Sequence, residues 1–459
     1  MKIIILGAGD VGTTLAEHLA IEHNDVTIID IDGEHLHTLQ ERMDIYTITG
    51  NGAYPNTLKR GGAEEADMLI AVTSSDEINL VACQVAASLF QIPSKIARIR
   101  SLQYLAHEKL FSPSAFPVDV LISPEQVITN YIHHLIEYPH ALQVLDFADQ
   151  KLQLVAVKAK TVHGTLVGHS LKSLQDHLAT WDTEIVIIFR HGKPLPPNDT
   201  IIIESNDEVY FLASTVNMHS VMNAMLPLNT PNERIIIAGG GNIGTRLASC
   251  LEENFQVKII EKDPDRIEAL ATHLSKGIVL QGDASDKELL LSENIENTDV
   301  FCAVCNQDET NIMSALLAKR LGARKTMALI SRPSYLELVE GGDIDIVISP
   351  QQATIASLLI HVKPGHVANV HPLRHGETEA IEIIVSECKN ASKIIGRHFK
   401  DIQIPNDANI VAMVRNGQMF TEHHDIAVEP GDRMIILLFD KRKIRQIERL
   451  FQEENSSFV

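Results

Sequence analysis

Short runs of β-branched residues alternate along the chain with stretches whose apolar positions recur at helical spacing, and the whole pattern occurs twice. The first copy opens with KIIIL, a buried strand, passes through GAGDVG, and resumes apolar positions at Val11, Leu15 and Leu19 on one face of a helix. A second strand over residues 25–29 closes on Asp30. The second copy repeats the order with RIIIA, GGGNIG, a helix, and a strand over residues 257–260 that closes on Glu261. Gly239 stands 232 residues after Gly7 in a chain of 459, so the repetition covers nearly the whole sequence. Strand and helix patterns in alternation predict an α/β fold with two Rossmann-like parallel-sheet domains.

Later segments match as well. ITGNGAYPNTL, with Gly50 and Asn51, pairs with LQGDASDKELL, with Gly282 and Asp283. LIAVTSSDEIN pairs with FCAVCNQDETN, which sets Thr73, Ser74, Asp76, Glu77 and Asn79 against Cys305, Asn306, Asp308, Glu309 and Asn311. Each half then reaches an ISP tripeptide and a helix, with Ile128 and Ile132 in one copy and Ile355 and Leu359 in the other. Beyond it, short strands around an RHG or RNG turn pair Arg190 with Arg415, Gly192 with Gly417 and Asp207 with Asp432, predicting a compact α+β lobe. The expected domains are 1–125 and 232–352 for nucleotide binding, with small lobes at 140–225 and 370–455. The linker falls around Pro227 and Pro231.

The chemistry lies in the turns Gly7, Ala8, Gly9, Asp10, Val11, Gly12 and Gly239, Gly240, Gly241, Asn242, Ile243, Gly244. Glycine at the first two positions of GxGxxG lets the backbone turn tightly and approach a pyrophosphate, and the third lets helix and strand pack closely. The helix N-terminus offers free N–H groups and partial positive charge to phosphate. Asp30 and Glu261 stand where a Rossmann acid accepts hydrogen bonds from ribose hydroxyls and repels a 2′-phosphate. NAD(H) or an adenosine nucleotide is therefore expected over NADP(H). Thr73 and Ser74 are expected to touch ligand at the carboxyl edge of the sheet, while Asp76 and Asp308 suit helix caps. Strand alternation in KIARIR sends Arg98 and Arg100 to one face, where the second copy has Leu329 and Ser331. The first site is thus expected to tolerate ATP or ADP better than the second.

Composition narrows the function. A net charge of −21 excludes nucleic acid as a charge-driven partner, but it leaves open the basic cytoplasmic loops of a membrane protein. No apolar stretch approaches the roughly 20 residues of a membrane span, and the opening strand is expected to be neither signal peptide nor anchor. Five scattered cysteines, Cys83, Cys250, Cys302, Cys305 and Cys388, fit a reduced cytoplasmic protein. Cys302 and Cys305 form a CxxC, but they fall on a buried strand whose i and i+3 side chains point to opposite faces, so no thiol or metal site is expected there. An NAD-dependent oxidoreductase would need an acid or base facing the nicotinamide. The histidines His133, His134, His361, His366, His371, His375, His423 and His424 form no such set and no metal frame, and are expected to be solvated.

GAGDVG, VTIIDID, ADMLIAVTSSDEINLVACQVA, IARIRSLQYL and DVLISPE, repeated in degenerate form, resemble the TrkA family, cytosolic regulatory subunits of Trk-type bacterial potassium uptake systems built from two RCK (KTN) units. The resemblance runs end to end. It implies NAD(H) and ATP or ADP binding at the glycine loops, a homotetrameric ring, peripheral association with the cytoplasmic face of the inner membrane, and control of an integral-membrane potassium-translocating subunit, TrkH. By position it carries the first site to Gly7 through Val11, Asp30, Asn51, Thr73, Ser74 and Arg98. The second goes to Gly239 through Ile243, Glu261, Asp283, Cys305 and Asn306. Asp10, inside the first loop, and Cys305, in place of a hydroxyl, depart from the family pattern.

Overall fold

The structure, a computed structural model, describes residues 1–21, 24–112, 115–160, 166–195, 197–226, 232–339, 342–362, 367–373, 378–386, 394–405, 407–421, 425–440 and 443–451. The linker prolines Pro227 and Pro231, Cys388, and His366, His375, His423 and His424 lie outside them. The chain divides into two compact bodies, Met1–Thr129 with Ser349–His361, and Asn130–Ile348 with Val362–Val459.

In the first body, β1 (Lys2–Leu6), β2 (Asp25–Asp30), β3 (Tyr46–Thr49), β4 (Met68–Ala71), β5 (Ser94–Arg98) and β6 (Val120–Ile122) form a parallel sheet in the order β3-β2-β1-β4-β5-β6. Ile3, Ile4, Ile5 and Leu6 are all buried because helices cover both faces of this central strand, which is why it reads as a continuous apolar run. The following helix, Asp10–Ile21, buries Val11, Leu15 and Leu19. Strand order reverses between β1 and β4, and the crevice this opens at the carboxyl ends is where such folds take ligands.

The second body holds three sheets. β7 (Ala141–Phe147), β8 (Leu152–Lys158), β9 (Glu184–Arg190), β10 (Lys193–Leu195) and β11 (Glu208–Ser214) form an antiparallel sheet ordered β10-β9-β11-β8-β7. β12 (Arg234–Ala238), β13 (Gln256–Glu261), β14 (Ile278–Gln281), β15 (Val300–Ala303), β16 (Lys325–Leu329) and β17 (Ile346–Ile348) repeat the first parallel sheet, as β14-β13-β12-β15-β16-β17. β18 (Val367–Pro372), β19 (Glu379–Ile384), β20 (Ala408–Arg415), β21 (Gln418–Phe420) and β22 (Arg433–Leu438) repeat the small sheet, as β18-β19-β22-β20-β21.

Both small sheets turn on the sequence repeat. His191 and Gly192 (φ 51° and 75°) and Asn416 and Gly417 (φ 52° and 82°) make the paired left-handed residues that a two-residue hairpin requires. Arg190 then grips Asp207 with Nε and Nη2 at 2.9 and 2.8 Å, and Arg415 grips Asp432 at 2.7 Å with both. The two small lobes share one core, in which Phe147, Leu154 and Tyr210 cluster with Ala380, Val414 and Leu437. His371 belongs to this contact rather than to solvent. Its ring meets Phe147 edge-on at 5.1 Å and its Nε2 lies 3.2 Å from the Asp146 carbonyl, while burial lowers its pKa.

Candidate nucleotide sites

The three GxGxxG glycines of each turn answer different steric demands. Gly7 and Gly239 have φ of +102° and +110°, where a side chain is strained. A Cβ on Gly12 or Gly244 would sit 1.9 or 1.8 Å from the carbonyl oxygen of Gly7 or Gly239, so the third glycine is imposed by helix–strand packing. The middle pair differs. A Cβ on Gly9 would meet nothing within 4 Å, and one on Gly241 would meet only Asn306 Oδ1 at 3.8 Å. The protein's own packing does not require glycine there; the bare backbone leaves room for a group arriving from outside. Helices Asp10–Ile21 and Asn242–Leu251 start at these turns and direct their N–H groups to the same space. Asp10 is exposed in its helix's first turn, where a carboxylate complements the dipole.

The acids come from the ends of β2 and β13. Asp30 accepts hydrogen bonds from Ala8 N at 2.6 Å and Asp32 N at 2.9 Å. Glu261 accepts from Gly240 N at 2.7 Å, Lys262 N at 2.7 Å and Asp263 N at 3.0 Å. Each carboxylate thus ties the glycine turn to the neighbouring strand. Two residues that sequence reasoning missed complete the picture. His35 Nε2 lies 2.9 Å from the Ala8 carbonyl, and Arg266 Nη1 lies 3.9 Å from Glu261 Oε2. Both stand five positions after the acid, the interval from strand end to the first turn of the next helix, and that spacing was the available signal.

At the end of β4 the structure gives Thr73 an internal role. Its hydroxyl donates to Asn79 Oδ1 at 2.7 Å, and the fully buried Asn79 donates in turn to the carbonyls of Thr73 and Arg98. Asn311 does the same in the second copy, bonding Cys305 N, Cys305 O and Leu329 O. Ser74 and Asn306 are exposed beside them. Asp76 and Asp308 are not caps. They accept from the backbone of Arg100 and Ser101, and of Ser331 and Arg332, fixing the loop after the fifth strand, while Ser75 caps the helix at Ile78 N. Asn51 closes its own turn by accepting from Ala53 N at 2.8 Å.

Charge is disposed differently in the two sites. Arg98 is largely buried, its Nε has no hydrogen-bond partner among the described residues, and burial followed by the Arg100 charge lowers its pKa. Arg100 Nε lies 3.6 Å from Glu125 Oε1. A buried guanidinium with unused donor capacity, beside a like charge, suits an anion. The second site is a cleft of about 260 Å³ lined by Gly241, Glu261, Lys262, Gly282, Asn306 and Thr310, among others. Here Lys262 Nζ sits 2.6 Å from Asp283 Oδ2, and hydrogen bonds from Lys262 and Ser285 bring the Asp283 pKa down to about 2. Cys305 is pushed up to about 11 by burial and the Glu261 charge, and Cys302 to about 12 by burial, so neither offers a thiolate.

The open middle glycines, the helix N-termini and the strand-end acids fit an adenosine nucleotide. Fold and sites together define a tandem Rossmann nucleotide-binding protein with paired small lobes. The model of the TrkA-N domain matches residues 3–124 and 235–350. Trk system potassium uptake protein TrkA of Halomonas elongata is 51% identical over 452 residues, covering 98% of this chain and 99% of that one. Its namesake from Vibrio alginolyticus is 49% identical over 453 residues, with 98% and 99% covered. Among solved structures, the GsuK channel superposes with a TM-score of 0.64 at 15% identity over 98% of this chain and 78% of that one. The crystal structure of the GsuK RCK domain gives 0.60 at 15% identity, over 98% and 94%. The chain belongs to the TrkA family.

Proposed function

We propose that this protein is the nucleotide-sensing regulatory subunit of a potassium uptake system, and that it gates a membrane-embedded, TrkH-like potassium-translocating partner in response to NAD(H) and ATP or ADP. The observation that carries the reading is the open middle glycine, present in both turns, beside a strand-end carboxylate and a helix N-terminus. NAD(H) suits both sites because Asp30 and Glu261 would repel a 2′-phosphate. ATP or ADP suits the first site more, because Arg98 and Arg100 add positive charge there. The GsuK channel bound to NAD, a fold neighbour with a TM-score of 0.61, supports NAD as a ligand of such a fold.

The partner follows from family membership and charge. A chain at −21 complements the Lys- and Arg-rich cytoplasmic loops of a membrane protein, and no helix among the described residues is long and apolar enough to cross a bilayer itself. We read the working form as a homotetrameric ring at the cytoplasmic face of the inner membrane, with nucleotide domains at 1–125 and 232–352 and small lobes at 140–225 and 370–455. Nucleotide shifts such a ring only by its difference in affinity for the two gating states. The reading assigns the chain no catalytic step.

The test is potassium flux through the reconstituted membrane partner, with and without this protein, titrated with ATP, ADP, NAD and NADH. Nucleotide-dependent flux is expected. Flux that ignores all four nucleotides overturns the reading, and hydride transfer to an added metabolite replaces it with a dehydrogenase.

A further inference from the structure

The helix Pro124–Glu137 ends among side chains that neither nucleotide site uses. His133, His134 and Glu137 each bring one ligand atom, and these atoms all lie within 4.8 Å of one another. Neighbouring residues on a helix diverge by about 100°, so adjacent histidines converge only when their rings fold towards each other. Here the ring centroids are 6.0 Å apart. Glu137, one turn after His133, places Oε1 4.0 Å from His133 Nε2, the outer limit of an ion pair and too far for a hydrogen bond. His134 is held from a second element. Its Nδ1 lies 3.2 Å from Oδ2 of Asp146 on β7, whose other oxygen accepts from Gln153 Nε2 at 3.0 Å. The imidazoles are 22% and 24% exposed and Glu137 37%, so the group is partly desolvated but open to an ion from solution.

We infer that His133, His134 and Glu137 form a binding site for a late first-row divalent cation of the zinc class, with Asp146 as the positioning residue for His134. Two imidazole nitrogens and one carboxylate oxygen are a zinc-type donor set, whereas magnesium and calcium favour oxygen alone. Metal-bound histidines typically have their second nitrogen or ring orientation held by a carboxylate, the role Asp146 is placed to take. With metal–ligand distances of about 2.0–2.2 Å, the donors must close by about an ångström, within the reach of side-chain rotation.

Position gives the site a use. The same helix end is docked by Lys325, whose Nζ donates to the carbonyls of Leu135 and Ala141 at 2.9 Å each, and by Asn232, which donates to Ile136 O at 2.6 Å. A cation bound by His133, His134 and Glu137 would stiffen the helix end beside these two fastenings and set His134 for its contact with Asp146 on β7.

The test uses the full chain, untagged because the sequence already holds 21 histidines, stripped with chelator and titrated with Zn²⁺ by calorimetry and with Co²⁺ by visible absorption. One Zn²⁺ per chain is expected, with a Co²⁺ spectrum of low coordination number. His133→Gln and Glu137→Gln, which keep side-chain size, should each weaken Zn²⁺ at least about tenfold, and Asp146→Asn should weaken it by a similar order, while NAD affinity stays unchanged as a control of folding. No Zn²⁺ uptake by the wild-type chain overturns the site. Wild-type Zn²⁺ affinity in the His133→Gln/His134→Gln double variant does the same, since the metal then sits elsewhere.

Discussion

At the residue scale, the three GxGxxG glycines of each turn separate stability from binding. Gly12→Ala puts a Cβ 1.9 Å from the Gly7 carbonyl oxygen, and relief requires the helix to move off the strand. We expect a loss of about 3 kcal/mol in urea unfolding, the upper range for overpacking. The Cβ of Gly9→Val meets no protein atom within 4 Å, so the unfolding midpoint should change little, while nucleotide affinity at the first site should fall at least about tenfold, because the added carbons stand where the pyrophosphate approaches. Gly241→Val should do the same for the second site, and calorimetry on the full-length variants assigns each binding event. Arg98→Gln removes a buried, under-used cation; ATP should weaken at the first site more than NAD does, and equal losses would contradict the phosphate role.

At the scale of elements, the buried asparagine staples hold each carboxyl edge in shape. Asn79 joins the end of β4 to the end of β5 through the carbonyls of Thr73 and Arg98, with no exposure to water. Asn79→Leu leaves those groups without partners and should cost about 2–4 kcal/mol, with hydrogen exchange accelerated at the Thr73 amide, which donates to Asn79 Oδ1, before the rest of the sheet. Lys262 and Asp283 make a pH-dependent link. The Asp283 pKa is depressed to about 2, so its contribution is present above the ordinary carboxylate range near 4 and is lost as pH falls towards 2. Asp283→Asn should flatten that acid limb of the stability curve. These elements also mark what could be read without a structure. Strand, glycine turn, helix and terminal acid follow from local patterning, and both parallel sheets lie where that patterning placed them. The bond from Asp30 to Ala8, the approach of His35, and the clamp of Asp76 on the loop at Arg100 arise from crossovers that bring distant segments to one edge, and no local period encodes them. His133 and His134, expected to be solvated, are largely covered for the same reason: Asp146 reaches His134 from another element.

At the scale of the molecule, the small lobes meet through their sheets; the turn pattern predicts each lobe, but strands such as Glu184–Arg190 and Glu208–Ser214 are apolar and buried on both faces, which does not tell what covers them. The seam carries a charge pair. Glu382 is fully buried, accepts from Ala148 N at 3.2 Å and pairs with Arg433, which also reaches Asp149 at 2.6 Å. Arg433→Met strands the Glu382 charge and should destabilise the second body by about 3–5 kcal/mol, an effect that Arg433→Met/Glu382→Leu should largely restore.

That shared core has an evolutionary reading. Two sheets of the same strand order, facing each other within one polypeptide, are what a dimer of single-unit ancestors becomes once its chains are fused. Covalent tethering makes the meeting of such partners intramolecular, so the contact no longer has to be strong enough to assemble two chains from dilute solution. Freed from the requirement that each residue face its own twin, the seam can become lopsided. Arg433 reaches across to Asp149, while Glu208 occupies the place of Arg433 in the first lobe. Fusion thereby gives each lobe a fixed and distinct neighbour.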